Sequence, residues 1–102
     1  MNHKADPPRR YRIHPSNRYE RDIGKLKKSG ANLQKLEWVI DALVAGKVLP
    51  DRYKDHELRG ILKGIRECHI APDWLLMYRK DNQKLILLLV RIGNHRDALG
   101  IK

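Results

Sequence analysis

The apolar residues of this chain change their spacing near residue 61, and that change limits the fold more than any other feature. In the first half Tyr19, Ile23 and Leu26, then Leu33, Leu36, Ile40, Leu43 and Val44, recur every three or four positions, the interval that lays one stripe along an α-helix. Further on, "ILKGIRECHI" alternates, sending Cys68 and Ile70 to one side and Glu67 and His69 to the other, as a half-buried strand does. Helices followed by a run of strands predict an α+β chain. Its helical hairpin should pack on one face of a small, mainly antiparallel sheet.

Local signals set the expected boundaries. "RYRI" (10 to 13) reads as a short strand ended by His14-Pro15. Ser16 or Asn17 can cap the first helix, Asn17 with Glu20 has the spacing of a capping box, and Gly30 closes it. Asn32 opens the second helix, which ends at Gly46 ahead of Pro50. "WLLMYR" makes a second strand of the meander and Lys80 to Gln83 a polar turn. "KLILLLVRIG", almost continuously apolar, reads as a central strand covered on both sides. Residues 1–10, with Pro7-Pro8, are expected to be a flexible arm, and 11–102 one domain.

Charge then narrows the function. The 102 residues carry 22 Lys and Arg against 12 Asp and Glu, a net charge of +10, and such an imbalance points to a polyanion as partner. The basic residues are spread along the chain without a long amphipathic segment, which argues against a membrane surface. The longest apolar run, Leu85 to Val90, is too short to span a bilayer, and the first residues lack the apolar core of a signal peptide. A single cysteine, Cys68, allows no internal disulfide and no zinc-finger spacing. The expected location is the cytoplasm.

Several polar residues fit no core. His56, His69, Asp73, Arg91 and His95 all fall at predicted strand ends, and in a meander such ends can meet at one edge. Imidazoles, a carboxylate and a guanidinium are what RNA cleavage requires. A base takes the ribose 2′-OH proton, a cation holds the phosphorane oxygens, and an acid protonates the leaving 5′-oxygen. Any one of these histidines alone would more often be structural, and it is their joint occurrence with Asp73 and Arg91 that carries weight. A metal site from His56, His69, Asp73 and His95 is possible in composition, but no pair has the spacing of a common zinc motif. Cys68 faces inward and is expected to be inert. Trp74 can belong to the core or stack on a base. Trp38 lies off the apolar stripe of its helix, as a packing residue or a partner contact.

In this order, "LPDRYKDHELRG" (49 to 60), "GIRECHIAPDWLLMYR" (64 to 79) and "LILLLVRIGNHRDAL" (85 to 99) resemble the YafQ-type branch of the RelE superfamily of bacterial toxins, over residues 10 to 99. The resemblance implies a microbial-ribonuclease-like RelE fold and a ribosome-dependent mRNA endonuclease that cuts in the ribosomal A site and stops translation. It implies a cognate antitoxin as partner, contact with DNA only through the antitoxin complex, and no cofactor, since RNA supplies its own 2′-OH. Matched position by position, His56, His69, Asp73, Arg91 and His95 are the implied active-site residues. His95 would be the acid, His56 the base with Asp73 as its substitute, His69 and Asp73 orienting groups, and Arg91 the phosphate ligand. Trp74, Leu99, Arg66 and Lys54 are the implied substrate contacts. One position departs from the family pattern: Leu99 stands where an aromatic, often Phe, is usual, and the chain has no Phe at all. Leucine cannot stack on a base, an interaction worth ~1–3 kcal/mol.

Two other functions compete with this one. A basic RNA- or partner-binding module of the same fold, weak or inactive as an enzyme, accounts for the charge and takes Leu99 as its mark. A small DNA-binding regulator has less support, because no helix is dense in Arg, Asn and Gln.

Overall fold

A computed structural model describes residues 10–94. Its elements are β1 (Arg12–Pro15), α1 (Asn17–Lys28), α2 (Gln34–Val44), a 3-10 turn (Asp51–Tyr53), β2 (His56–Glu57), a second 3-10 turn (Gly60–Leu62), β3 (Arg66–Ala71), β4 (Trp74–Asp81) and β5 (Ile86–Asn94). The sheet runs β1-β5-β4-β3-β2. Only the β1–β5 pair is parallel. The chain is thus α+β with two helices on a mainly antiparallel sheet, as expected; the sheet has a fifth strand, β2, beyond the four expected. The arm expected over residues 1–10 lies, apart from Arg10, outside the described residues.

The start of α1 and the ends of both helices follow from local chemistry, while α2 begins after Leu33 without a side-chain cap from that residue. Ser16, and not the Asn17–Glu20 pair, caps α1: its hydroxyl oxygen accepts from the Tyr19 N–H at 2.9 Å. The same hydroxyl donates to the Val90 carbonyl at 2.8 Å, which fastens the start of the helix to β5. Lys25, Lys27 and Lys28 occupy the last turn of α1, the favourable end of the helix dipole for cations. Gly30 and Gly46 both stand at φ +79° just past a helix, the left-handed turn that glycine makes without strain.

β1 lies two residues later than "RYRI" predicts and runs through Pro15. The register explains why proline is tolerated. Arg12 and Ser16 donate their N–H groups to Leu85 and Leu89, so the nitrogens of alternate residues face β5 and that of Pro15 faces outward. The missing donor falls on the open edge of an edge strand. β3 also starts later than expected, because residues 60–62 form a 3-10 turn. β4 continues through Asp81 into the expected turn.

The core sits between the helices and one face of the sheet. Leu36, Val39 and Leu43 from α2 pack with Cys68, Ile70, Leu76, Tyr78, Leu87, Leu89 and Ile92. Each such side chain contributes about 1.5–3 kcal/mol on burial. The other face carries a smaller cluster, Leu75 and Met77 under Leu58, Leu62, Ile65 and Val90. Segment 57–65 is clasped over this face by Leu58 N–H to the Ile65 carbonyl (2.8 Å) and Gly64 N–H to the Glu57 carboxylate (3.1 Å). It does not reach the far end of the sheet. Hence β5 is not covered on both sides as its composition predicts: Leu87 and Leu89 are buried, while Ile86 and Leu88 are half-buried. β5 does lie inside the sheet, between β1 and β4, and β4 is the middle strand.

Candidate active site

β2 is two residues long, and those two residues set His56 beside β3. His56 pairs with Glu67 and Glu57 with Arg66. The approach to this strand is fixed from below. Lys54 closes the first 3-10 turn in the left-handed region, φ 51°, and Asp55 next to it accepts from the Tyr78 hydroxyl at 2.6 Å and from Arg66 Nε at 3.2 Å. Tyr78 is fully buried, so Asp55 is tied to the core and His56, the next residue, has little freedom of position.

The His56 ring is oriented by its own backbone. Nδ1 lies 2.7 Å from the Lys54 carbonyl oxygen. A carbonyl only accepts, so Nδ1 carries the proton and the neutral ring keeps its lone pair on Nε2. That nitrogen is 3.6 Å from Glu67 Oε1 in a side chain 52% exposed. A lone pair on a half-exposed Nε2 is free to accept a proton, which is what a general base needs. Glu67 was not singled out as a site residue, although the alternation of β3 already placed it on the side of His69.

His69 lies two residues further along β3 on the same face as Glu67, opposite Cys68 and Ile70. The β3–β4 hairpin turn then carries Asp73, exposed, and Trp74, which is half-buried and packs its ring against the helix-side core. Trp74 pairs with Asn94 across to β5. His56, His69 and Asp73 are therefore set along β2, β3 and the turn that follows. His95 and Leu99 lie outside the described residues, and Asn94, the residue before His95, is the partner of Trp74.

Both arginines expected at the site, the substrate contact Arg66 and the phosphate ligand Arg91, are held by carboxylates. Arg66 donates to Asp55, as above. Arg91 makes a bidentate pair with Asp22 of α1, Nε to Oδ2 at 3.1 Å and Nη2 to Oδ1 at 3.2 Å, and Asp22 Oδ2 also accepts from the Ile92 N–H at 3.1 Å. A β-bulge produces this. Met77 pairs with Arg91 but Tyr78 pairs with Leu89, so Val90 is the extra residue. β1 has already ended, and Asp22 covers the edge of β5 that β1 leaves open. A guanidinium has five donors, and its Nη1 edge is not committed to Asp22.

Burial acts on the thiol and phenols behind the site. Cys68 is raised from 9.0 to about 12, mainly by burial and further by the charges of Asp55 and Glu67. The expectation of an inert cysteine follows from this, since the thiol stays protonated at neutral pH. Tyr19 is raised from 10.0 to about 12, again mainly by burial, then by Glu20 and Asp22. Both groups hold in the folded state protons that the unfolded chain releases. The stability they support is complete below pH 9 and is lost as pH rises from 9 through 12. Urea unfolding at pH 7, 9 and 10.5 should show nearly equal midpoints for the first two and a lower one for the third. A midpoint that rose toward pH 10.5 would contradict the assignment.

Among the described residues no three of His, Cys, Asp and Glu come close enough together to hold a metal ion, and no helix is long and apolar enough to cross a membrane.

Known proteins resemble this chain in both sequence and fold. The mRNA interferase toxin YafQ of Escherichia coli strain K12 is 34% identical over 89 residues, spanning 86% of this chain and 95% of that protein. Among solved structures, the E. coli DinJ–YafQ toxin-antitoxin complex aligns with TM-score 0.76 at 33% identity, covering 84% of this chain and 93% of that one. A metal-bound toxin from Helicobacter pylori aligns with TM-score 0.79 at 40% identity, covering 85% and 97%. Residues 11–100 match the family described as the bacterial toxin of type II toxin-antitoxin systems, YafQ. A chain matched over nearly its whole length in both sequence and fold belongs to that family, the YafQ toxins of type II toxin-antitoxin systems.

Proposed function

We propose that the protein is an mRNA endonuclease that acts in the cytoplasm on the message in the ribosomal A site, stops translation, and is held in check by an antitoxin. The observation that carries the chemistry is the His56 ring, its Nδ1–H held by the Lys54 carbonyl and its Nε2 turned outward toward Glu67. His56 Nε2 takes the proton of a ribose 2′-OH. That oxygen bonds to the adjacent phosphorus, the bond from phosphorus to the 5′-oxygen breaks, and His95 gives its proton to the departing oxygen. The products are a 2′,3′-cyclic phosphate and a 5′-hydroxyl. His69 and Asp73 orient the reacting groups and balance charge, with Asp73 the alternative base. Arg91 offers the guanidinium edge that Asp22 leaves uncommitted, Lys54 and Arg66 are cations beside the path, and Trp74 and Leu99 lie along the substrate.

The name of the E. coli relative, mRNA interferase, and the DinJ–YafQ complex support the activity and the partner. DNA would be reached only through the antitoxin complex. No cofactor enters these steps, because the nucleophile belongs to the substrate. A second reading, a binding module with little or no activity, is favoured by one feature: the expected phosphate ligand Arg91 and the expected substrate contact Arg66 are each paired with a carboxylate.

Single-turnover cleavage of mRNA on programmed ribosomes separates the two. The endonuclease loses cutting but keeps ribosome binding on His95→Ala. A protein that binds ribosomes and cuts nothing even as wild type is the binding module.

A further inference from the structure

The Trp38–Tyr53 stack is explained neither by the core nor by the cleavage chemistry. Trp38 is 49% exposed, yet its ring lies on that of Tyr53 with centroids 5.6 Å apart and planes 18° from parallel. Packing alone would bury so large a ring; this one is held rigid and left open. Arg52 sits 4.9 Å from the centre of the Tyr53 ring. Lys35 precedes Trp38 by three positions on α2, so the two share a face.

Between these residues and the end of β3 runs an open groove of about 530 Å³, walled by Lys35, Arg52, Tyr53 and Lys54 on one side and by His69 to Pro72 on the other. Its walls bring three cations and no carboxylate. The groove exists because β2 pairs only with Arg66 and Glu67, so the edge of β3 beyond them is not covered by a strand. It shares His69 and Lys54 with the candidate site, and the Lys54 carbonyl holds the His56 ring.

We propose that this groove holds a single-stranded stretch of RNA adjoining the cleaved bond, with Lys35 and Arg52 on its phosphates and one base stacked on the exposed face of Trp38. The proposal rests on the endonuclease reading above and names the second contact its substrate makes. A polyanion with planar bases needs cations and an aromatic platform side by side; the groove supplies the cations, and Trp38, stacked on the lining residue Tyr53, supplies the platform beside it. An acidic protein segment would use the cations but would leave the open indole without a role.

The test compares wild type with Trp38→Leu, Trp38→Phe and the double variant Lys35→Gln/Arg52→Gln. It measures half-saturation and plateau rate for cleavage of mRNA on programmed ribosomes, and anisotropy of a labelled single-stranded RNA 12-mer. Trp38→Leu should raise the half-saturating concentration about tenfold, the scale of one lost stack, at an unchanged plateau rate. Trp38→Phe should restore most of it. The double variant should flatten the salt dependence of RNA binding by roughly 1.4 log units per log unit of salt. Rescue by Phe but not Leu distinguishes stacking from packing. If Trp38→Leu shifts thermal unfolding, the double variant decides, since its long side chains reach solvent.

Wild-type cleavage with all variants at wild-type half-saturation overturns the groove and leaves the endonuclease standing. Absence of cleavage with RNA binding that still depends on an aromatic at 38 keeps the groove and removes the endonuclease. Variants that bind RNA normally but lose an acidic antitoxin peptide overturn the proposal in favour of a protein ligand.

Discussion

Asp22→Ala should lower the free energy of unfolding by about 3 kcal/mol. Asp22 is the one buried polar or charged side chain among the described residues, and it serves three donors: Nε and Nη2 of Arg91 and the Ile92 N–H. The Arg91 side chain is 18% exposed. Removing the carboxylate strands a largely buried guanidinium and leaves a backbone N–H at the bulge with no acceptor. Breaking a buried pair from one side costs about 3–5 kcal/mol, and the lower figure applies because Arg91 retains some access to water. Asp22→Asn should lose about half as much, since an amide oxygen still accepts from Ile92. Denaturant titration reads both, as a lower midpoint with unchanged slope. A midpoint for Asp22→Ala within 0.5 kcal/mol of wild type would show that the pair does not anchor α1 to β5.

His56→Ala should slow single-turnover cleavage on ribosomes by about 10²–10⁴-fold, the usual worth of a positioned general base. The ring's position depends on its neighbours, and the neighbours can be tested apart from it. Glu67→Gln keeps the shape and removes the charge opposite Nε2. At 3.6 Å and with His56 half exposed, that charge is worth less than about 1 kcal/mol, so the rate should fall less than about fivefold. His56→Ala that cut at the wild-type rate with ribosome binding intact would transfer the role of base to Asp73.

These two residues mark the limits of what the chain discloses by itself. His56 was legible as a polar residue at a strand end, and the alternation of β3 placed Glu67 and His69 opposite Cys68 and Ile70 as found. The helical stripes placed Tyr19, Leu36 and Leu43 in the core, with Ile23 and Leu26 against it. Local periodicity carries that much because each residue is judged against neighbours three or four positions away. Asp22 gave no such sign. Set among Arg18, Glu20 and Arg21 it reads as part of a solvated face, and its partner is 69 positions along the chain.

The bulge that turns Arg91 toward it is a single register slip at Val90, invisible inside an apolar run. β2 escaped for a different reason, since two residues cannot display a period of two. The half-cover of β5 was also hidden. Nothing in "KLILLLVRIG" tells how far segment 57–65 extends across the sheet.

The most direct measurement is the nature of the new RNA ends when purified protein acts on ribosomes programmed with a defined mRNA, beside the same mRNA alone. Transfer of a 2′-oxygen onto phosphorus predicts a 5′-hydroxyl on the downstream fragment and a 2′,3′-cyclic phosphate on the upstream one, at the A-site codon and only with ribosomes present. A downstream 5′-phosphate, or equal cutting of the mRNA without ribosomes, would contradict it.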